Sequence, residues 1–219
     1  PLRSETNTVS SIPLICGSIM SKKIAEGIDG LIMDIKVGRG AFMHTLDIAK
    51  KLGNILEKVG KSYGLNMSIN YTRMDQPLGN AAGLWCEIVE SIECLKGKGP
   101  IDVMDVVYHL GINGLKLANI SNPKDKLKRV INNGDALDIF KKMVVAQGGD
   151  IDVIDNPDII MPKYKEYIFA EEDGYIGKMH TLNIGNAIIL LGAGKLDAKD
   201  QLDPTAGITL FKKVGDFVK

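Results

Sequence analysis

Three polar side chains near the start of the chain have the types and spacing to bind a small planar ligand. Arg3 precedes the segment Ser11–Glu26, whose pattern predicts a helix, and Ser18 and Lys22 lie four residues apart within that segment. Residues at this spacing share one face of a helix. A guanidinium, a hydroxyl and an ammonium directed into one volume would donate hydrogen bonds to carbonyl acceptors on a flat ring. Spacing alone favours the plainer interpretation, a solvated helix face.

The elements around this segment predict an α/β fold with a parallel or mixed sheet flanked by helices. In chain order they are the helix Ser11–Glu26, a buried strand Ile28–Val37, an amphipathic helix Leu46–Val59, a strand Asn66–Thr72 and a helix from about Ala82 to Leu95. Proline is tolerated in the first turn of a helix, so Pro13 does not argue against the first element. Strands that alternate with helices indicate parallel pairing.

The rest of the chain predicts a helical stretch and then a change of composition. The helical stretch comprises Ile101–Ala118 and Leu127–Ala146, and the segment after Pro162 predicts strands at Tyr164–Ala170, Gly174–Gly177 and Gly207–Phe211 with a helix at Thr181–Leu191. The change of composition places a boundary near residues 150–162.

Composition narrows the classes of function. The 219 residues contain 27 basic and 27 acidic side chains, and this neutral balance argues against a nucleic-acid binder held by bulk electrostatics. We see no signal peptide and no apolar run of about 18 residues, so we expect no membrane partner. Cys16, Cys86 and Cys94 lack metal-binding spacing and indicate reduced thiols in the cytoplasm. The chain starts without methionine and stops in an unfinished β segment, so we expect it to be part of a longer protein.

Four separated blocks carry a resemblance to a known family. They read SIPLICGSIMSKKIAEGIDGLIMDIKVGRGAFM, MDQPLGNAAG, VVAQGGD and GYIGKMHTLNIGNAIILLGAGK. In this order they resemble the pyrimidine-nucleoside phosphorylases and thymidine phosphorylases, over about the second half of such an enzyme. The resemblance implies phosphorolysis of thymidine, and of uridine or deoxyuridine, in pyrimidine salvage. It also implies three parts: residues 1–27 as the end of a small helical domain, residues 28–150 as the main α/β domain, and residues 151–219 as a small, incomplete α+β domain.

The resemblance assigns a role to the first three side chains. In the family an arginine, a serine and a lysine hold the pyrimidine base, and they fall on Arg3, Ser18 and Lys22. The leaving base gathers negative charge while phosphate attacks C1′ of the sugar. Arg3 and Lys22 would stabilise that charge in the transition state, and Ser18 would contact the N3–H edge of the base.

The resemblance also implies other ligands. The family's potassium site falls on the main-chain carbonyls of Leu78 and Ala81 and the carboxylate of Glu90. Oxygen donors of this kind suit a hard cation. Inorganic phosphate is the co-substrate, and we expect no organic cofactor. The family binds phosphate through a Gly-rich stretch upstream of this chain, and we interpret Gly38-Arg-Gly40 as a tight turn and not as its substitute. Without that stretch we expect little catalysis. The longer form is expected to be a homodimer.

Two departures from the family pattern leave alternatives open. Ser4 stands where the family usually has an aspartate, and Leu84-Trp85 replace a usual asparagine. An anthranilate-phosphoribosyltransferase-like enzyme shares the architecture, and a catalytically dead paralogue would retain only binding of a base or a partner. We predict a packed structural role for His109, which lies in an apolar helix.

Overall fold

The computed structural model describes residue 8, residues 10–195, residue 197 and residues 199–219. Its described residues form two compact units. The first comprises the chain up to Met74 together with Tyr108–Pro123, and the second comprises Asp75–Val107 and the chain from Lys124 onward. Helices and small sheets, one of them parallel, confirm the α/β class. The predicted divisions at residues 27 and 150 stay a prediction.

The first unit is built on two parallel strands. Its elements are α1 (Ile12–Ala25), β1 (Gly30–Val37), α2 (Leu46–Ser62) and β2 (Asn66–Arg73). Strands β1 and β2 pair in parallel from Gly30↔Asn66 to Val37↔Arg73, as the sequence predicted. Thr45 caps the start of helix α2, and its side chain accepts a hydrogen bond from the Ile48 amide at 3.4 Å. This is the usual way to satisfy an orphan donor at a helix start.

One face of the strand pair forms the core of this unit. Met33 and Ile35 of β1 lie beside Ile69 and Tyr71 of β2, and they pack with α1 and α2. Helix α2 approaches β2 closely because it places Gly60 over Met67, where a Cβ atom would lie 2.4 Å from the methionine sulfur. The close fit fixes how the helices sit on the sheet.

The other face of the same strands is polar. Asn70 is buried, and its side-chain oxygen accepts hydrogen bonds from Asn113 Nδ2 at 2.7 Å and from His109 Nε2 at 2.8 Å. Its amide nitrogen donates to the Met33 carbonyl at 3.3 Å. The ring of His109 therefore fixes a buried amide, although His109 itself remains exposed to solvent.

The second unit contains a strand that the sequence analysis missed. Residues Ala81–Gly83 form β3, which pairs antiparallel with β5 (Gly207–Thr209), and helix α3 begins only at Trp85 and runs to Leu95. The predicted helix start at Ala82 is therefore wrong. A Cβ atom on Gly83 would lie 2.5 Å from the Ala206 carbonyl oxygen, so only glycine permits this close pairing. Pairing between segments distant in the chain overrides the local helical pattern.

The remaining elements are mostly helices. They are α4 (Ile101–Leu117), α5 (Pro123–Asn132), α6 (Asp135–Ala146), α7 (Asp152–Asp155), a 3₁₀ turn (Pro157–Ile159), β4 (Gly174–Tyr175), α8 (Thr181–Ile188), a π turn (Ile189–Ala193) and β6 (Phe217–Val218). Strand β4 pairs antiparallel with β6. The predicted strand Tyr164–Ala170 is wrong, because this segment has irregular backbone and leaves side chains such as Ile168 fully in solvent. Within the described residues, no helix has both the length and the apolar character to cross a membrane.

Candidate functional site

Helix α1 presents Ser18 and Lys22 on one face. Cys16 and Met20 are buried in the core of the first unit, which fixes the rotation of the helix. Ser18 and Lys22 each lie two residues further on, about half a turn around the helix, and so face away from that core. Ser18 is half-buried and Lys22 is exposed. The structure thus brings these two predicted residues together, while Arg3 lies outside the described residues.

The neighbouring lysine is already engaged. Lys23 Nζ forms an ion pair with Glu26, the residue that caps the end of α1, at 2.9 Å. Both lysines lie in the last turn of the helix, where cations are favoured by the helix dipole. Lys22 points from the Ser18 face, so it is the better placed of the two to meet a ligand there.

The turn after β1 ties the two parallel strands together. The Gly40 amide donates to the Met74 carbonyl at 2.9 Å, and the Ala41 amide donates to the Gly38 carbonyl at 3.1 Å. Gly38-Arg-Gly40 is therefore the tight turn that was predicted. Phe42 follows it with its ring largely exposed. An exposed aromatic ring at the carboxyl end of a parallel strand is able to stack on a planar ligand, a feature that sequence reasoning missed.

The second candidate site is the loop that precedes β3. Glu90 from α3 reaches back to it, and its Oε1 accepts hydrogen bonds from the amides of Asn80 at 2.7 Å and Ala81 at 2.9 Å. Gly79 has a φ of +75°, and a Cβ atom there would lie 2.0 Å from Glu90 Oε2. Glycine at this position therefore allows the carboxylate to lie over the loop.

The strand register determines where the Ala81 carbonyl points. The Leu210 amide donates to the Asn80 carbonyl at 2.6 Å, and Ala81 is opposite Thr209. In an antiparallel ladder, alternate residues turn both backbone groups away from the partner strand. Ala81 is such a residue, and its amide accordingly reaches Glu90 instead of β5. Its carbonyl therefore lies on the same side of β3 as the Glu90 carboxylate.

The oxygen ligands available at this loop suit a monovalent cation. They consist of one carboxylate, from Glu90, and backbone carbonyls, which are the oxygen ligands that hard cations prefer. In the part of the chain that the structure describes, no group of three or more His, Cys, Asp or Glu side chains is arranged to hold a metal ion. Of the predicted ligands, Leu78 belongs to this loop, Ala81 is the first residue of β3, and Glu90 lies on α3.

A lysine from near the end of the chain also binds this loop. Lys213 Nζ donates to the carbonyls of Pro77 at 2.8 Å and Gly79 at 2.7 Å and to Asp102 Oδ2 at 2.5 Å. Burial of Asp102 would raise the pKa of its carboxyl. The bonds from Lys213 and from the amides of Gly79 and Val103 outweigh burial, and the pKa lies below its ordinary value. Sequence reasoning missed Lys213 and Asp102 because 111 residues separate them.

Comparison with known proteins identifies the class. Residues 3–137 match the model of the glycosyl transferase family a/b domain. Residues 175–219 match the model of the pyrimidine nucleoside phosphorylase C-terminal domain. The chain therefore belongs to the glycosyltransferase family that this a/b domain defines.

Individual relatives narrow the family further. A pyrimidine-nucleoside phosphorylase of Staphylococcus haemolyticus (strain JCSC1435) is 42% identical over 223 residues, which cover 100% of this chain and 52% of the relative. One of Staphylococcus aureus (strain USA300) matches with the same identity and coverage. Within the glycosyltransferases, the chain is a member of the pyrimidine-nucleoside phosphorylase family. It spans about half the length of these curated relatives.

Proposed function

We propose that this chain supplies the base-binding part of an enzyme that splits pyrimidine nucleosides with inorganic phosphate. The products are the free base and ribose or deoxyribose 1-phosphate, and the substrates are thymidine, uridine and deoxyuridine. The observation that carries the proposal is the exposed face of α1 with Ser18 and Lys22, in a chain 42% identical along its whole length to named pyrimidine-nucleoside phosphorylases.

The chemistry requires donors at the base. An oxygen of phosphate attacks C1′ while the C1′–N1 bond breaks, and the bonding electrons leave with the base and spread over N1, O2 and O4. The ammonium of Lys22 and the guanidinium of Arg3 stabilise this charge more in the transition state than in the ground state. The hydroxyl of Ser18 accepts from N3–H, which selects a pyrimidine dione. Loss of one such donor costs about 100-fold in rate.

A chimera tests the proposal in a complete enzyme. The chain replaces the matching 52% of the Staphylococcus haemolyticus relative, and release of thymine from thymidine is measured with and without phosphate. We expect phosphate-dependent release that falls about 100-fold in Lys22→Met and stays near the parent rate in Lys23→Met. A folded chimera that binds thymine but does not release thymine from thymidine would favour a non-catalytic base-binding protein instead. Equal activity of the two lysine variants would remove Lys22 from the site.

We also propose a potassium ion on the loop before β3, held by the carbonyls of Leu78 and Ala81 and the carboxylate of Glu90. When bound, the ion would supply a fixed positive charge that orders the loop. The approach of Glu90 to the Asn80 and Ala81 amides supports this proposal, because it places a carboxylate beside a carbonyl that faces away from β5. Potassium should raise the thermal midpoint of the chain more than tetramethylammonium at equal ionic strength, and Glu90→Gln should remove the difference.

The resemblance supports two further proposals about the longer protein. We propose that it works in the cytoplasm and assembles as a homodimer. Sedimentation of the chimera described above tests the second of these, because a monomer at micromolar concentration with full phosphorolysis would contradict it.

A further inference from the structure

Lys213 is placed as a tethered cation and not as an ordinary surface lysine. Its side chain is only 15% exposed. An ammonium has three donors, and here they meet three acceptors: the Pro77 carbonyl, the Gly79 carbonyl and Asp102. Two of the three bonds go to the backbone of one loop. Neutralising the charge of Asp102 would require only the ion pair, so the two hydrogen bonds to backbone carbonyls indicate a further role for Lys213.

The segment that carries Lys213 is itself held against the same loop. The Leu210 amide donates to Asn80, and the Val214 amide donates to the side-chain oxygen of Gln76 at 3.0 Å. The Lys213 amide donates to Asp216 at 2.8 Å, which fixes the backbone from which the ammonium extends. The backbone of Lys213 is thus anchored on both sides of the residue, so only side-chain rotamer entropy remains to be lost when the ammonium binds.

Asp102 extends the contact to the other side of Gly79. Its Oδ2 accepts from both the Lys213 ammonium and the Gly79 amide, the latter at 3.2 Å. Both backbone groups of Gly79 are therefore held by this ion pair, the carbonyl by the cation and the amide by the anion. The positive φ of Gly79 is maintained by these bonds and by Glu90 above it.

The backbone carbonyls from Pro77 to Ala81 fall into two sets with different binding partners. Those of Pro77 and Gly79 bind the Lys213 ammonium, while the proposed potassium ion would take those of Leu78 and Ala81. We propose that Lys213 is a positioning residue whose ammonium fixes the loop from Pro77 to Ala81 in the conformation that presents the second set. This consequence for cation binding rests on the proposed function, whereas the fixing of the loop does not.

Hydrogen exchange in the 219-residue chain tests the inference directly. Lys213→Ala removes the ammonium, and Lys212→Ala removes an exposed neighbouring charge as a matched control. We expect the amides of Gly79, Asn80 and Ala81 to exchange about tenfold faster in Lys213→Ala than in Lys212→Ala, because two charge-assisted bonds to the loop are lost. Amides of α2 should exchange at the same rate in both variants. Equal exchange in the loop amides of the two variants would overturn the proposal.

Chemical rescue separates a specific ammonium from simple packing. Methylammonium carries three N–H donors and fits the space left by Lys213→Ala, whereas tetramethylammonium carries none. We expect methylammonium to restore most of the lost protection of Gly79 and tetramethylammonium to restore none. Equal restoration of the Gly79 protection by both ions would show that the side chain acts only through its volume, which contradicts the proposal. If Lys213→Ala does not fold, Lys213→Met keeps the stem, and the exchange comparison decides alone.

A separate measurement isolates the cation site. Thallium(I), a spectroscopic probe for potassium, is titrated into the unmodified chain and into Glu90→Gln and Lys213→Met. Weaker binding in both variants supports the link between Lys213 and the cation. Absence of binding to the unmodified chain overturns the potassium site alone, because the exchange and rescue measurements do not involve that ion.

Discussion

Replacement of Gly79 by alanine should destabilise the second unit far more than the same change at another glycine with the same backbone conformation. Gly79 has a φ of +75° and Gly148 a φ of +77°, so the backbone cost of alanine, about 1 kcal/mol, is shared. A Cβ atom at Gly79 would lie 2.0 Å from Glu90 Oε2 and 2.9 Å from Val103 Cγ2. Nothing lies within 4 Å of a Cβ atom at Gly148. Gly148→Ala is therefore the matched control.

The difference between the two variants follows from the displaced carboxylate. Glu90 Oε1 accepts from two amides, and bonds to a charged group contribute about 1.5–3 kcal/mol each. Because Glu90 is partly exposed, water replaces some of this loss, and we expect Gly79→Ala to cost about 3 kcal/mol more than Gly148→Ala.

Urea unfolding followed by tryptophan fluorescence measures this difference. The chain has one tryptophan, Trp85, which lies in the same helix as Glu90 and donates to the Pro157 carbonyl at 3.0 Å. Its emission therefore reports on the second unit. Equal losses of unfolding free energy in Gly79→Ala and Gly148→Ala would refute the idea that the Glu90 carboxylate holds the loop. An excess loss of Gly79→Ala over Gly148→Ala that survives in a Glu90→Ala background would refute it as well.

Three other predictions concern separate parts of the molecule. Because the pKa of Asp102 is lowered in the folded state, its ionised form stabilises the fold above about pH 4, and this stability is lost as the pH falls through the native pKa. Over that pH range, the urea midpoint of Asp102→Asn should therefore fall less steeply than that of the unmodified chain. Lys22→Met should weaken thymine binding measured by calorimetry, whereas Lys23→Met should not, because Lys23 is paired with Glu26. Asn70→Ala removes the hydrogen bonds to the Met33 carbonyl and to Asn113 Nδ2, and it should cost about 2 kcal/mol in urea unfolding followed by circular dichroism. A loss below about 0.5 kcal/mol would contradict the assigned bonds.

Local periodicity predicted those parts of the structure whose partners are close in the chain. Helix α1 was predicted at Ser11–Glu26 and is observed at Ile12–Ala25, with Ser11 and Glu26 as its caps. The face of α1 that carries Ser18 follows from the same periodicity, since a helix repeats every 3.6 residues wherever it lies. The parallel pair β1 and β2 was also predictable, because a helix connects two apolar strands and forces them to run the same way.

Periodicity failed where distant segments decide the conformation. Strand β3 exists because Gly83 and Gly207 pair closely, and no pattern around residue 82 indicates a partner more than a hundred residues away. The Lys213–Asp102 pair was missed for the same reason, because its two residues are far apart in the chain. Conversely, Tyr164–Ala170 has the aromatic and branched residues typical of strands, yet propensity for a pleated, half-buried surface has no effect without a neighbouring strand to provide it.

The departure from the family pattern at Leu84 does not remove the support for the second candidate site. Leu84 precedes α3 and makes no side-chain cap, whereas asparagine is among the strongest capping residues. The structure supplies a substitute one turn later, because Glu87 Oε1 accepts from the Gly83 amide at 2.8 Å. A carboxylate in the first turn also interacts favourably with the helix dipole. The start of α3 therefore remains fixed, and Glu90, which is three residues beyond Glu87, still reaches the Asn80 and Ala81 amides.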